Sequence, residues 1–591
     1  MNFLKSFFVS ILGTLTALGL FFVILLLFIS GIASIMNAPS GLTSIKQKSV
    51  LDLNLNYPVV DRAPNFEEFQ RFLGLEDEVL GLPDILSAID KARDNSSING
   101  IRLRTDFISA GWAQTRSIRN ALNRFKESGK FIYAYGDLYT QKGYYLASVS
   151  DSIFLNPVGI LEFKGLASEV LYYKDFQEEY GVKMEVIRHG KYKSAVEPYL
   201  ENEMSADNRY QIKTLLNDIW ETVREEIGEA RDLKSKTIDD IINNQRIVVP
   251  EDGVNETLID ALVYEDDFEE SIKTALEISS SQKTNLASIR QLNNASSTYN
   301  TDIKDRIAVV FARGPIIYGE GTENMIAQGV FVETLQELAD DDWIKAVVLR
   351  VESPGGNALT SDLLWRAIEN LKSKKPVFVS MGNVAASGGY YIAAGADQIY
   401  ADPLSITGSI GVFASLPNIH GMTKKLGINA QTVETHQNAL GYSFFQPLSE
   451  TFKQRTIKSI ENTYNTFKQR VIDGRGLTSA EVESIAQGRV WSGKQALNVG
   501  LVDHLGGLQD AIIAAAKAAN IENYNIVNYP KFEEDLESVL SGALPSIESK
   551  LTWMQWVPKN LRQQLHHTSI EKSTVSSKGL QVLLNCLKRS H

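Results

Sequence analysis

Cysteine is all but missing from this chain of 591 residues: the single one, Cys586, sits near the C-terminal end. No intramolecular disulfide and no cysteine-rich metal site can be built from it. Histidine is scarce as well. The seven present (His189, His420, His436, His504, His566, His567, His591) show no HExxH or other ligand spacing, so neither a metal nor any other cofactor is expected. A surplus of basic charge is also lacking, since 59 Lys and Arg stand against 71 Asp and Glu, a net charge of −12. A general nucleic-acid binder would show a basic face, and no nucleic-acid partner is expected. Long apolar runs are absent beyond the first 45 residues. The chemistry has to come from hydroxyls, amines, carboxylates and backbone groups.

The composition is that of a globular protein, 44% hydrophobic and 22% charged, and its length exceeds one compact core. Residues 6–45 carry no charge, and 7–29 are nearly all apolar. About 20 such residues span a bilayer, whereas the apolar part of a cleavable signal runs about 7–15. The expectation is an anchor over residues 1–47 with its span at about 7–29; a signal cleaved near Gly31-Ile32-Ala33 is the alternative. With Lys5 on the inner flank, this predicts a single-pass protein of the bacterial inner membrane, its bulk on the periplasmic side.

Comparing the chain with itself is more informative. Residues 143–157 read GYYLASVSDSIFLNP and residues 389–403 read GYYIAAGADQIYADP, aligned without a gap at an offset of 246 (143 to 389). The same offset pairs Leu103-Arg104 with Leu349-Arg350, Gly136 with Gly382 and Gly181 with Gly427. Two homologous domains are expected, at 48–295 and 300–530, with a Ser-, Asn- and Thr-rich linker at 279–301 and a tail of unknown role at 531–591. Apolar runs such as IAVVFA (307–312), AVVLRV (346–351) and VFVSM (377–381) alternate with amphipathic stretches, the pattern of an α/β fold with largely parallel strands.

The copies differ in their reactive residues. The second holds Ser353-Pro354-Gly355-Gly356, a turn able to point N–H groups at a ligand, and Ser387-Gly388-Gly389 where a strand runs into a helix. The offset carries Ser387 onto Gln141, Gly388 onto Lys142 and Ser353–Gly356 onto Phe107-Ile108-Ser109-Ala110. A serine nucleophile needs a base. The first copy offers Lys193 after the strand-like MEVIRH, and its counterpart in the second is Ala439. Each copy thus holds one half of a nucleophile–base pair. Lys191, whose counterpart is Gln437, is a second possible base by the same reasoning. His436 with Glu434 offers a conventional Ser–His alternative. Asp397 and Asp402, matched by Asp151 and Asn156, read as structural.

Four segments together resemble the signal peptide peptidase A (protease IV) family in its long tandem form: Ser-Pro-Gly-Gly at 353–356, Ala-Ser-Gly-Gly-Tyr-Tyr at 386–391, Thr-Gly-Ser-Ile-Gly at 407–411 and Tyr-Lys-Ser-Ala-Val-Glu-Pro at 192–198. The resemblance covers nearly all of residues 1–530. It implies two tandem Clp-protease/crotonase-like domains, a ring-like homotetramer at the membrane, and a serine endopeptidase that degrades cleaved signal peptides and other hydrophobic peptides. It also implies roles: Ser387 as nucleophile, Lys193 as general base, Ser409 as hydrogen-bond partner of the amine, and the N–H groups of Gly356 and Gly388 as oxyanion hole. A silent membrane scaffold of the same fold and a crotonase-type acyl-CoA enzyme are the competing readings.

Overall fold

The computed structural model describes residues 45–63, 79–295 and 300–532, together with positions 13, 16, 18–21 and 23. The stretches 45–63 and 79–531 lie in one compact unit. Within it the apolar runs of the second half become neighbouring parallel strands, Arg306–Arg313 beside Ile344–Ser353 beside Val377–Ala386. Each is buried along most of its length, as a strand covered on both faces must be, and so its sequence is continuously apolar rather than alternating. Helices cover the faces. Leu82–Asp94 shows how: its buried residues Leu82, Ile85, Ala88, Ile89 and Ala92 recur at the spacing that puts them on one stripe.

Two sheets run in the same order. The first is Ala261–Leu262, Ser152–Leu161, Phe131–Tyr139, Ile98–Arg104, Ser49–Asn54, Asn285–Ala287, all parallel. The second repeats this as His504–Leu505, Gln398–Ala401, Val377–Ala386, Ile344–Ser353, Arg306–Arg313, Asn525–Tyr529. It adds Ile406–Gly408 beside Val377–Ala386, with Val490–Ser492 antiparallel on its far side. A two-stranded antiparallel pair joins the halves: Lys183–His189 from the first with Val412–Asn418 from the second. Each half also carries one long helix, Ala206–Arg231 and Glu450–Arg475, each opened by a serine N-cap (Ser205, Ser449) and closed by a left-handed residue (Asp232, Gly476). The stretch read as a linker is partly structural. Asn285–Ala287 closes the first sheet, and Ala287 and Leu292 are buried despite their polar neighbours.

Several expectations need correction. Among the described residues no helix is long and apolar enough to cross a membrane. The expected span at 7–29 lies mostly outside them. Of it, the positions Gly13, Thr16, Leu18 to Phe21 and Val23 are described. The anchor, the membrane partnership and the inner-membrane, periplasm-facing placement all rested on that span and are not retained. The ring-like homotetramer and the signal-peptide partner rested on the resemblance alone, and nothing in the described structure carries them. The fold is mixed α/β, and no crotonase-like feature stands out in it. The expected tail lies outside the described residues beyond Phe532.

Candidate active site

Ser387 occupies the single-residue joint between the strand Val377–Ala386 and the helix Gly388–Ala393. Its backbone is turned to φ +54, a conformation that costs of order 1–3 kcal/mol in a residue with a Cβ. The neighbours fix it: its N–H donates to Gly408 O at 2.9 Å, and its carbonyl accepts from Tyr391 N at 2.9 Å.

Lys193 comes from the other half, between the strand Lys183–His189 and the 3-10 turn Ser194–Tyr199. The antiparallel pairing of that strand with Val412–Asn418 carries the lysine across to the second half. Its Nζ lies 3.0 Å from Ser387 Oγ, 3.0 Å from Ser409 Oγ and 2.9 Å from Ser409 O. All of these groups belong to one chain. The lysine is only 3% exposed. Burial brings its pKa down from 10.5 to about 7, so that a large neutral fraction exists at ordinary pH. Ser409 is itself held at φ +54, its N–H donating to Arg489 O at 2.7 Å.

The turn at 353–356 lies against this joint. Gly355 has φ +96, and a Cβ added to Gly356 would stand 2.1 Å from Ile316 O. Only glycine lets the chain pass there. Ile316 N donates to Gly355 O and Asn357 N to Ile316 O, which leaves the Gly356 N–H out of that bridge. A Cβ on Gly388 would fall 3.2 Å from Gly356 N, and one on Gly355 would fall 2.5 Å from Gly388 N and 2.7 Å from Ser387 Cβ, so the turn packs closely against the joint that holds Ser387. Beneath the turn, Glu352 is pushed up to about 7, first by burial and then by the Asp61 carboxylate. Asp61 itself is pressed up by burial, but the Arg350 guanidinium at 2.7 Å outweighs this and holds it below the usual range.

In the first half the corresponding space is filled from within. Gln141, at the position of Ser387, accepts from Lys164 N and Gly165 N at 2.9 Å each. Lys142, at the position of Gly388, sends its amine to Ala110 O at 2.5 Å, where Gly356 would be. What the halves share is scaffold. Asp151 and Asp397 each accept a strand N–H at 2.8 Å, from Ile132 and Val377, and Tyr144 and Tyr390 each donate to a carbonyl at 2.9 Å, Leu258 O and Leu501 O. Asp402 bonds to Arg116 of the first half at 3.2 Å.

The alternatives fall away from the cluster. Lys191 is exposed and faces Asp207 at 3.8 Å. His436 is exposed with its Nδ1 3.1 Å from Thr435 Oγ1, and Glu434 accepts from Leu440 N at 3.1 Å. The site also includes residues that sequence reasoning passed over. Glu197, fully buried, accepts from Ser205, Asn208 and Tyr172 and so stiffens the turn after Lys193. Its place inside the 192–198 segment was the one available signal.

The model of peptidase family S49 matches residues 124–279 and 369–522. Protease 4 of Haemophilus influenzae is 35% identical over 525 residues, 84% of this chain and 84% of its own. The chain belongs to peptidase family S49. Protease 4 of Salmonella typhi is 31% identical over 551 residues (90% of this chain, 88% of its own). The chloroplastic serine protease SPPA of Arabidopsis thaliana is 31% identical over 514 residues (85% and 74%). This S49 chain is accordingly an enzyme, a serine protease. The two matched stretches fall one in each half, and between them they contain Lys193, Ser387, Gly388 and Ser409, while the turn at 353–356 lies outside both.

Proposed function

We propose that the chain is a serine endopeptidase in which the two halves divide the work: the second supplies the nucleophile Ser387, and the first supplies the base Lys193. The observation that carries this is the 3.0 Å approach of a nearly inaccessible lysine amine to the Ser387 hydroxyl. A lysine in water is protonated at neutral pH and cannot accept a proton. Desolvation removes that obstacle, and Ser409, with no basic group of its own, holds the amine in place through both its oxygens.

The geometry supports the following steps. Ser387 Oγ attacks the scissile carbonyl carbon while its proton passes to the neutral Lys193 amine. The carbonyl oxygen becomes an oxyanion and accepts from the N–H groups of Gly356 and Gly388. On collapse the ammonium gives its proton to the leaving amine, and an acyl-serine remains. Lys193, neutral again, takes a proton from water, which attacks the ester and restores Ser387.

The pH profile tests this reading. Since the base works only when neutral, kcat/KM on a fluorogenic peptide should rise tenfold per pH unit below about 7 and level off above it. A flat profile from pH 5.5 to 9, or a limb near the ordinary lysine value, would contradict it. A silent protein of the same fold would give no turnover at any pH.

A further inference from the structure

We infer that Gln211 is the positioning residue that sets the distance between the lysine and the serine; this rests on the Ser387–Lys193 reading. Gln211 lies on the long helix Ala206–Arg231, outside every motif, and is 3% exposed. Its amide nitrogen reaches both neighbours of the base, donating to Tyr192 O at 3.0 Å and to Ser194 Oγ at 2.6 Å. A third contact, to Asn208 Oδ1 at 3.2 Å, ties it to the Glu197 network. Its amide oxygen accepts from Val490 N at 3.4 Å, on the other half.

Val490 closes a circuit. It pairs with Gly408, whose carbonyl receives the Ser387 N–H, and the preceding residue, Arg489, receives the N–H of Ser409. One side chain therefore connects both flanks of the base, the Tyr192 carbonyl and the Ser194 hydroxyl, to the strand that anchors the nucleophile and the amine's partner. The opposite side is closed by contact alone, since a Cβ on Gly488 would stand 2.7 Å from Lys193 Cα. Without the glutamine, the turn at 190–194 keeps its internal bonds, Lys193 N to Gly190 O at 3.2 Å, Ser194 N to Tyr192 O at 2.8 Å and Arg188 Nη1 to Lys193 O at 3.3 Å. Its backbone bonds to the second half, however, are Tyr192 N to Gln487 O at 2.9 Å and Lys191 N to Gln487 Oε1 at 3.3 Å, both upstream of the base. The turn can then swing on them and admit water to the amine. A glutamine that merely satisfied buried groups would affect stability. One that positions the base affects kcat and the titration of that base.

The test is a kinetic comparison of full-length wild type, Gln211→Met and Lys193→Ala on one fluorogenic peptide across pH 5.5–10, with melting temperatures measured alongside. The expected result for Gln211→Met is a kcat at least tenfold lower at pH 7, a KM within twofold, and a base limb displaced upward by about one unit as water reaches the amine. Ser194→Ala, which removes one contact only, should move the same quantities the same way by less, and it decides the question if Gln211→Met does not fold. A folded Gln211→Met with wild-type kcat, or with lower kcat and an unmoved limb, overturns the inference while Lys193→Ala remains inactive. Activity in Lys193→Ala would instead bring down the dyad itself, and the strut with it.

Discussion

Lys193 is stored in the folded protein at a disadvantage, and the sign of that disadvantage can be measured. Its pKa falls from 10.5 unfolded to about 7 folded, so between those values the unfolded chain binds more protons and stability rises with pH. Below about 7 the whole penalty of burying the ammonium is present, on the order of 5 kcal/mol as an upper figure. Lys193→Met keeps the bulk and removes the charge. It should stabilise the protein at pH 7 by about 1–3 kcal/mol once the amine's lost hydrogen bonds are subtracted. The gain should fade as pH approaches 10.5. Calorimetry at pH 6, 7 and 9.5 checks this, and a lower melting temperature for the variant at pH 6 would contradict it. Ser387 and Lys193 were legible from the sequence because duplication supplies a reference, in which a reactive residue in one copy stands against an inert one in the other. Lys191 could not be separated from Lys193 that way; the structure separates them by burial. Gln211 was illegible, because its role follows from which backbone groups meet in space.

At the turn of residues 353–356 and at the start of the helix Gly388–Ala393, space decides function. Gly388→Ala adds a Cβ 2.6 Å from Ser361 Oγ, a side chain that can rotate, and 3.2 Å from Gly356 N. Helical backbone tolerates alanine, so the melting temperature should stay within a few degrees, while kcat falls by about 10²–10³: residue 388 keeps its N–H, but the added methyl crowds the Gly356 N–H, at a cost comparable to losing that donor. Gly356→Ala meets the Ile316 carbonyl, which cannot move alone, and should lose both activity and stability. Steady-state kinetics with thermal melts distinguishes the two variants; equal loss of stability in both would count against this account of the site. The strands here were readable from their unbroken β-branched runs. The pairing of Lys183–His189 with Val412–Asn418 was not, since the pattern of a strand names its buried face and not its partner. The 279–301 stretch misled for a related reason: two or three buried residues suffice to dock a short strand and helix, and polar composition hides them.

Across the whole molecule the halves are joined by buried charge as well as by the shared strand pair. Asp61 bonds to Arg350 at 2.7 Å with Gln114 at 2.8 Å on its other side, all three buried, and Arg116 bonds to Asp402. Removing one partner of such a pair leaves the other charged and dry. Asp61→Ala should therefore destabilise by about 3–5 kcal/mol in urea unfolding, and Asp61→Leu with Arg350→Met should recover most of that loss. A double variant no more stable than the single would show that the pair is not what Asp61 contributes. The fold class could be read from alternating strand and helix signals. The ion pairs across the halves could not, because each joins residues more than 280 positions apart. The apolar stretch at 7–29 illustrates the converse: composition alone led to a membrane span that the described residues do not contain.

The central claim, that Ser387 and Lys193 from opposite halves form one catalytic pair, is tested most directly by peptidase activity of four full-length proteins on a fluorogenic peptide: wild type, Ser387→Ala, Lys193→Ala and Lys191→Ala. The account predicts that the first two variants lose activity by at least about 10³-fold while folded, and that Lys191→Ala stays within about twofold of wild type. Activity retained in folded Ser387→Ala or Lys193→Ala would contradict it.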